Sequence, residues 1–181
     1  RLRGYFQSWR YFEHSASLIR GQMNSLRNPS AWYQEQSDLI SHGENWVGLH
    51  VRRGDYLHPE TREVHGIVGS DYYQQALRIV CATHGDMEIK VFSDDVESAR
   101  KLLANFDRPM QFIQPSPDSS PLENVLLLSK SNAIVAANSS FSWWAAWLGH
   151  RPDRTVVVPK RWFITKPFVE KDLFLPTWIA I

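Results

Sequence analysis

From residue 46 onward the sequence alternates short β-rich runs with helical stretches, and this alternation limits the fold more than any other feature. The β-rich runs are "WVGLHV", "EIKVFS", "MQFI", "NAIVAA" and "TVVVP", and each interval between two of them contains a helical pattern. Strands that alternate with helices form right-handed βαβ units. We therefore predict an α/β fold in which helices flank a parallel sheet.

Local signals at the starts of two helical stretches support this prediction. Ser70 and Asp71 suit an N-cap and a first turn. Ser120, Pro121 and Glu123 have the spacing of a capping box with proline at the first helical position. The sequence therefore predicts helices that begin at residues 70 and 120.

Charge and cysteine content exclude several classes of protein. The formal net charge of the 181 residues is +1, so no global field attracts nucleic acid or an acidic membrane, and any anion site must be local. Cys81 is the single cysteine, which excludes an intrachain disulfide. The sequence contains no run of about 18 apolar residues, so no membrane span is predicted. The opening "RLRGYFQSWRYF" lacks an initiating Met, and we interpret the chain as a fragment of a longer protein.

Polar residues follow three of the predicted strands, at residues 50–60, 93–95 and 138–142. Open parallel sheets bind ligands outside the carboxyl ends of their strands. We therefore expect these three strand ends to meet in one site.

The first strand end contains His50, Arg52, Arg53 and Asp55. Alternate residues of a strand share a face, so His50 and Arg52 should point one way and Arg53 the other. One arginine could bind a phosphate in two-point geometry while the other anchors the loop, with Asp55 as its candidate partner. The alternative is a structural ion pair that caps the strand.

The second strand end, "VFSDD", allows three interpretations. Asp94 or Asp95 could accept a hydrogen bond from a ribose hydroxyl or a base, or the pair could hold a metal. No further Asp, Glu or His cluster stands nearby in the sequence. Ser93 or Asp94 could instead be the N-cap of the next helix.

The third strand end, "AANSSFSWW", places four small polar residues between a buried strand and an apolar helix. Hydroxyls and free N–H groups at a helix N-terminus form an anion pocket, although simple capping is the alternative. An arginine guanidinium, a helix N-terminus and an acidic group on one edge of the sheet would suit a nucleotide diphosphate. The residues concerned are Asn138, Ser139, Ser140 and Ser142.

Several long motifs in order resemble the α-1,2-fucosyltransferases of glycosyltransferase family eleven. They are "HVRRGDY", "HGIVGSDYYQQAL", "VFSDD" and "ENVLLLSKSNAIVAANSSFSWWAAWLG", and "GYFQSWRYF" resembles a mid-chain segment of the family. The resemblance implies the C-terminal half of a GT-B-like glycosyltransferase. Residues 1–43 would be a helical connecting segment from a missing N-terminal half. Residues 44–181 would be a Rossmann-like domain that binds GDP-fucose.

The resemblance also implies a reaction and roles for individual residues. Fucose would leave GDP with inversion and without a metal or other cofactor, and the 2-hydroxyl of a terminal galactoside would attack. Arg52 would stabilise the leaving diphosphate, and Glu60 or Asp55 would be the general base, unless Glu60 is a solvated loop residue. Asn124 stands where the family usually has an acidic residue that pairs with guanine. The predicted catalytic residues are Arg52, Asp55 and Glu60, and the predicted substrate-binding residues are His50, Arg53, Asp94, Asn124, Asn138, Ser139, Ser140 and Ser142.

Two alternatives to this function remain open at the level of sequence. The chain could be a non-catalytic or truncated sugar-nucleotide-binding module, or a fucosyltransferase of a different linkage. The expected partners are GDP-fucose and a galactose-terminated oligosaccharide, with no nucleic acid and with peripheral membrane association. We expect a bacterial cytoplasmic location at the inner membrane face, or the Golgi lumen for a eukaryotic protein whose anchor is missing.

Overall fold

A six-stranded parallel sheet forms the centre of the computed structural model, which describes residues 8–41, 45–165 and 172–181. Its order is β3-β2-β1-β4-β5-β6, and every neighbouring pair is parallel. The sheet confirms the predicted α/β class. The strands are β1 Trp46–Val51, β2 Glu88–Ser93, β3 Met110–Ile113, β4 Ala133–Val135, β5 Thr155–Val158 and β6 Ile179–Ala180.

Seven α-helices and two 3-10 turns accompany the sheet in the described residues. The capping box at the start of α6 is present, whereas the N-cap of α4 is Gly69 and not the predicted Ser70. The short helix α3 and the strand β6 were not predicted. The 3-10 turns are Trp9–Ser15 and Gly54–Leu57, and the helices are α1 Ala16–Met23, α2 Ala31–Ser41, α3 Pro59–His65, α4 Ser70–His84, α5 Val96–Leu103, α6 Pro121–Ser129 and α7 Ser140–Leu148.

The sheet separates two apolar cores. Alternate residues of β1 enter different cores: Trp46 packs with residues of α6 and α7, while Val47 and Leu49 pack with residues of α4 and α5. This is the alternation expected of a strand that is buried on both faces. The two faces therefore meet different helices, and the face of a side chain beyond β1 decides which helix it contacts.

The described N-terminal residues 8–41 pack against α6 and α7. Arg20 donates from Nε to the Trp147 carbonyl at 2.9 Å and lies over the Trp147 ring, and the Ser30 N–H donates to the Glu123 carboxylate at 2.5 Å. The rest of the predicted connecting segment, residues 1–7 and 42–43, lies outside the described residues, as does the predicted boundary at residue 44. In the part of the chain that is described, no helix has the length and apolar character needed to cross a bilayer.

The strand order reverses between β1 and β4. The chain leaves β1 towards β2 and β3 on one side, and returns to β4 and β5 on the other. In open parallel sheets, such a reversal leaves a crevice at the carboxyl ends of the two strands. The three predicted strand ends belong to β1, β2 and β4, so they all surround this crevice.

Candidate active site

Two cavities lie side by side at the carboxyl edge of the sheet. The larger has a volume of about 590 Å³ and the smaller about 260 Å³. Both are lined by Arg52, which follows β1, and by Phe141 in the first turn of α7. The two cavities are therefore parts of one cleft, and Arg52 lies where they meet.

Two carboxylates hold the Arg52 guanidinium. Nη2 lies 2.6 Å from Asp55 Oδ1 and Nη1 lies 3.0 Å from Asp94 Oδ2. The guanidinium also lies over the Tyr56 ring, 5.4 Å from its centroid. About 29% of the Arg52 side chain remains exposed, so the cation is fixed in place and still accessible from the cleft.

Asp94 organises the end of β1 and is not an N-cap. Its second oxygen accepts a hydrogen bond from the Arg53 backbone N–H at 2.9 Å, while Asp95 caps α5. A Cβ atom on Gly54 would collide with the Asp94 carboxylate, so glycine is required for this close approach. Asp94 therefore positions Arg52 and also lines the smaller cavity.

Arg53 is turned away from the cleft, as strand alternation predicts, and does not line either of the two cavities. Its buried guanidinium donates to the Val68 carbonyl at 3.0 Å. The side chain therefore anchors the loop before α4, and its assignment to substrate binding stays a prediction. Its expected partner Asp55 pairs with Arg52 instead.

His50 is a neutral imidazole at the base of the smaller cavity. Its ring lies 4.7 Å from the Phe141 ring, and only 3% of the residue is exposed. Burial, and to a lesser extent the nearby Arg52 cation, lower the pKa of His50 to about 3. The two arginines and two aspartates therefore account for the formal charge of this strand end, and they balance each other.

The smaller cavity is a mainly apolar pocket with one polar side. Apolar side chains from several elements form its walls, and Asn124 of α6 contributes a polar group. The Asn124 amide nitrogen donates to Ser119 Oγ and to the Ser120 carbonyl, so its orientation is set. Its Oδ1 is buried without a hydrogen-bond partner, which leaves an acceptor for a ligand N–H. The apolar walls are Phe92, Ile113, Pro115, Pro121 and Phe141.

The start of α7 forms one side of the larger cavity. Asn138, Ser139 and Ser140 line it, and Ser139 caps the helix by accepting from the Phe141 N–H. Ser142 does not line either cavity, because its buried hydroxyl donates to the Ala137 carbonyl at 3.0 Å. Its predicted role in phosphate binding stays a prediction. The other three residues keep the position expected of an anion site at a helix N-terminus.

The opposite side of the larger cavity is the helix α3, which was not predicted. Glu60 and His65 both face the cavity, and Asp55 lies beside them. Glu60 is exposed, and none of the described residues pairs with its carboxylate. His65 was missed, although "HPETREVH" carries a signal: Pro59 suits a first helical position, and residues 60, 61, 64 and 65 share one helical face.

Asn138 joins the two sides of the larger cavity. Its amide nitrogen donates to the His65 carbonyl at 2.6 Å and to the Trp162 carbonyl at 3.2 Å. Its own carbonyl accepts from the Tyr56 hydroxyl at 2.9 Å. Asn138 was predicted to bind substrate, and the structure places it in the lining, with its amide nitrogen holding the cavity walls together.

Metal-ligating side chains are scattered over the described residues, which contain no group of three or more His, Cys, Asp or Glu that could hold a metal ion. The fixed cation of the cleft is the Arg52 guanidinium. The cleft therefore combines a mainly apolar pocket, an accessible cation and a helix N-terminus.

Comparison with known families agrees with this geometry. The sequence model of Glycosyl transferase family 11 matches residues 2–181. The chain belongs to glycosyl transferase family 11. The predicted resemblance is confirmed at the level of the family.

Relatives of this family 11 chain include bacterial and primate proteins. O-antigen biosynthesis glycosyltransferase WbnK of Escherichia coli is 35% identical over 145 residues, which are 79% of this chain and 47% of the relative. An alpha-1,2-colitosyltransferase of Escherichia coli is 28% identical, covering 98% of this chain and 61% of the relative. Galactoside alpha-(1,2)-fucosyltransferase 1 of Leontocebus fuscicollis is 28% identical, covering 100% and 52%.

The chain spans about half the length of the curated relatives that it matches. Among solved structures, the apo form of POFUT1 matches at 15% identity with a TM-score of 0.45, covering 77% of this chain and 49% of POFUT1.

Proposed function

We propose that this family 11 chain binds GDP-fucose and takes part in transferring L-fucose to the 2-hydroxyl of a terminal galactoside. The transfer would invert the anomeric centre and would need no metal. The observation that carries the proposal is the position of Arg52, an accessible cation where a mainly apolar pocket meets a helix N-terminus. Relatives named as α-1,2-fucosyl- and colitosyltransferases support the same chemistry.

The smaller cavity would hold the nucleobase. Its apolar walls suit the faces of a planar ring, and the unpartnered Asn124 Oδ1 would accept a hydrogen bond from an N–H of guanine. A neutral amide oxygen is a weaker acceptor than a carboxylate. We therefore expect this contact to contribute to the choice of base without dominating the affinity.

The diphosphate would lie between Arg52 and the start of α7. A guanidinium fork binds phosphate oxygens in two-point geometry, and the free N–H groups of the first helical turn add partial positive charge. Ser139 and Ser140 line this side of the larger cavity. Asp55, the more exposed partner of Arg52, would be displaced by the entering phosphate.

Arg52 would act mainly on the transition state. When the bond between the fucose anomeric carbon and the diphosphate breaks, its electron pair moves to the β-phosphate oxygen, where negative charge develops. A fixed cation stabilises this charge more than it stabilises the bound donor. The loss of such a contact should cost roughly 3 kcal/mol, or about a hundredfold in rate.

The larger cavity would receive the fucosyl group and the acceptor galactoside. Its volume of about 590 Å³ is more than twice that of the smaller cavity, and its lining includes hydroxyl, amide, carboxylate and imidazole groups. Such groups recognise the hydroxyls of sugars through hydrogen bonds. The acceptor hydroxyl would then attack the anomeric carbon from the side opposite the departing diphosphate.

Calorimetry with GDP and GDP-fucose, with and without EDTA, tests the proposal. We expect binding that survives EDTA and weakens at least tenfold in Arg52→Ala. Arg78→Ala is the matched control, because Arg78 is an exposed arginine of α4 outside both cavities. Transfer to a galactoside in the full-length protein then separates an enzyme from a non-catalytic binding module.

Colitose is a second candidate for the transferred sugar. One relative named for colitosyl transfer aligns with 98% of this chain. Competition between GDP-fucose and GDP-colitose in the same calorimetric experiment distinguishes the two donors. If the chain binds GDP-colitose more tightly than GDP-fucose and transfers colitose faster, colitose replaces fucose in the proposal.

A further inference from the structure

His65 is held rigidly in the wall of the larger cavity. Its ring stacks on the Tyr56 ring at 4.9 Å with an interplanar angle of 19°, and lies 5.2 Å from the Phe163 ring. Its backbone carbonyl accepts the short hydrogen bond from Asn138. These contacts fix the imidazole at the last residue of α3, facing the space where the acceptor would lie.

The surroundings of His65 favour the neutral imidazole over the protonated one. Nδ1 is buried without a hydrogen-bond partner, so a second ring proton would leave a charged N–H unsatisfied. Burial lowers the pKa of His65 below 6.5, the Asp55 carboxylate opposes this shift, and the Arg52 cation adds to it. A neutral imidazole retains a lone pair that can accept a proton near neutral pH.

Other charged groups around His65 come from α3 itself and from the segment that follows β5. Glu60 lies on the same helix and lines the same cavity. Lys160 and Arg161 line an adjoining cavity of about 420 Å³, which His65 also borders. These two cations favour the neutral imidazole, whereas Glu60 favours the protonated one.

The other two carboxylates of the cavity are less suited to accept a proton. Asp55 Oδ1 lies 2.6 Å from Arg52 Nη2 before the donor binds, and a carboxylate is ordinarily a weaker base than an imidazole. Glu60 is exposed and has no partner among the described residues, so fixing its side chain for catalysis would cost rotamer entropy. His65 is already held in place, because aromatic rings pack on its imidazole and Asn138 holds its backbone.

We propose that His65 is the catalytic base that accepts the proton of the acceptor hydroxyl. This inference rests on the proposed function. As the acceptor oxygen forms its bond to the anomeric carbon, its proton moves to Nε2 of His65, because Nδ1 is buried. The bond between that carbon and the diphosphate oxygen breaks, and its electron pair leaves with GDP. The acceptor oxygen loses a proton to His65 and gains the glycosyl group that GDP releases, so no further reactant is needed.

Donor binding should make His65 a better base. A bound diphosphate brings negative charge next to Arg52, which offsets the cation that disfavours the protonated imidazole. The Tyr56 ring lies between the two groups, under the Arg52 guanidinium and against the His65 imidazole. The proton acceptor would therefore be most effective when the donor is in place.

The test combines His65→Gln and His65→Phe with transfer kinetics in the full-length protein and with GDP binding. In both variants the transfer rate should fall at least about a hundredfold. The decrease of kcat/KM at acidic pH, which is the acidic limb of the profile, should disappear as well. GDP affinity should change by less than about threefold, which also shows that the variants are folded. His58→Gln is the matched control, because His58 is exposed and lines neither cavity.

A second readout is independent of turnover. In the wild-type protein, NMR titration of the histidines should show the His65 pKa rising when GDP is added. If the protein binds GDP, and His65→Gln keeps both its transfer rate and the acidic limb, the role of His65 is overturned while the proposed function stands. If the wild-type protein does not bind GDP, the proposed function is overturned, and the role of His65 falls with it.

Discussion

The two cavities of the cleft are built in different ways. Side chains at the ends of β1 and β2, at the end of β3 and at the start of α6 form the smaller cavity, and its walls are mainly apolar. The larger cavity is lined by α3, by the start of α7 and by residues 162 and 163, and polar groups surround it. One cavity therefore rests on the central sheet, and the other on short elements around it.

This difference suggests a division of labour. The sheet provides a rigid, buried frame. Under the proposed function this frame suits the nucleotide of the donor, which is the same for every acceptor. The short elements can vary in length and sequence without disturbing the core, so they suit recognition of different acceptors. Arg52 lines both cavities, so changes near it should affect both the binding of the donor and the recognition of the acceptor.

The largest effect should follow from Gly54→Ala, which removes the difference between the cavities by damaging both. The added Cβ would force the Asp94 carboxylate away from Arg52 and from the Arg53 N–H. We expect the free energy of unfolding to fall by about 1–3 kcal/mol. GDP affinity should fall by about tenfold or more, because Arg52 loses a partner that fixes it.

The control for this change is Gly69→Ala. No atom lies within 4 Å of a Cβ built on Gly69, so this variant should fold and bind GDP like the wild type. Denaturant unfolding and calorimetry measure both properties. A Gly54→Ala protein with wild-type stability and affinity would show that Asp94 can move without consequence.

An intermediate effect should appear in the pH dependence of stability. The folded chain keeps His50 neutral down to its pKa of about 3, whereas the unfolded chain protonates it near 6.5. Between these values the unfolded state binds one more proton, so the free energy of unfolding decreases by about 1.4 kcal/mol for each unit that the pH is lowered. Below this window His50 adds no further change.

Urea unfolding at pH 6.5 and at about pH 5 measures this slope, and His50→Phe should remove the contribution of His50. Residual slope remains, since burial also lowers the pKa values of His65 and His150. His65→Phe should remove less of the slope, because His65 is only half-buried. Equal slopes in the wild type and His50→Phe would contradict a buried neutral His50.

The smallest effect should separate the two cavities most cleanly. Asn124→Leu keeps the approximate volume of the side chain but removes the unpartnered Oδ1 from the smaller cavity. We expect GDP affinity to fall about tenfold, or about 1.4 kcal/mol. Turnover at saturating donor should stay the same, because the larger cavity is untouched. Asn105→Leu, an exposed change outside both cavities, is the control, and a large loss of turnover in Asn124→Leu would contradict the division.

Sequence reasoning was most successful where residues are buried on the sheet. The runs "WVGLHV" and "EIKVFS" became strands with the predicted bounds, and α4 covers the predicted residues 70–84. Long apolar runs bounded by turn residues allow few alternatives, and strand alternation then determined that His50 and Arg53 face opposite ways. The position of the cleft followed from the strand ends.

The parts that sequence could not predict depend on contacts between distant residues. Asp94 suited an N-cap by local pattern, but Arg52 and the Arg53 N–H bind its carboxylate. Ser142 resembled its neighbours in "NSSFS", yet helical geometry turns its hydroxyl back to the Ala137 carbonyl. The helix α3 is only seven residues long, and its backbone is fixed by hydrogen bonds from residues 164 and 165.

The pairing of Arg52 with two carboxylates has a consequence for the anions that compete for the site. An arginine without partners in a helix-lined crevice would attract inorganic phosphate, which is abundant in cells. Here a single phosphate must displace Asp55, and it exchanges one negative partner for another. A ligand that also fills the apolar pocket gains additional contacts that a small ion lacks. The resting protein therefore screens its own cation, and under the proposed function this screening favours a whole nucleotide over a small ion.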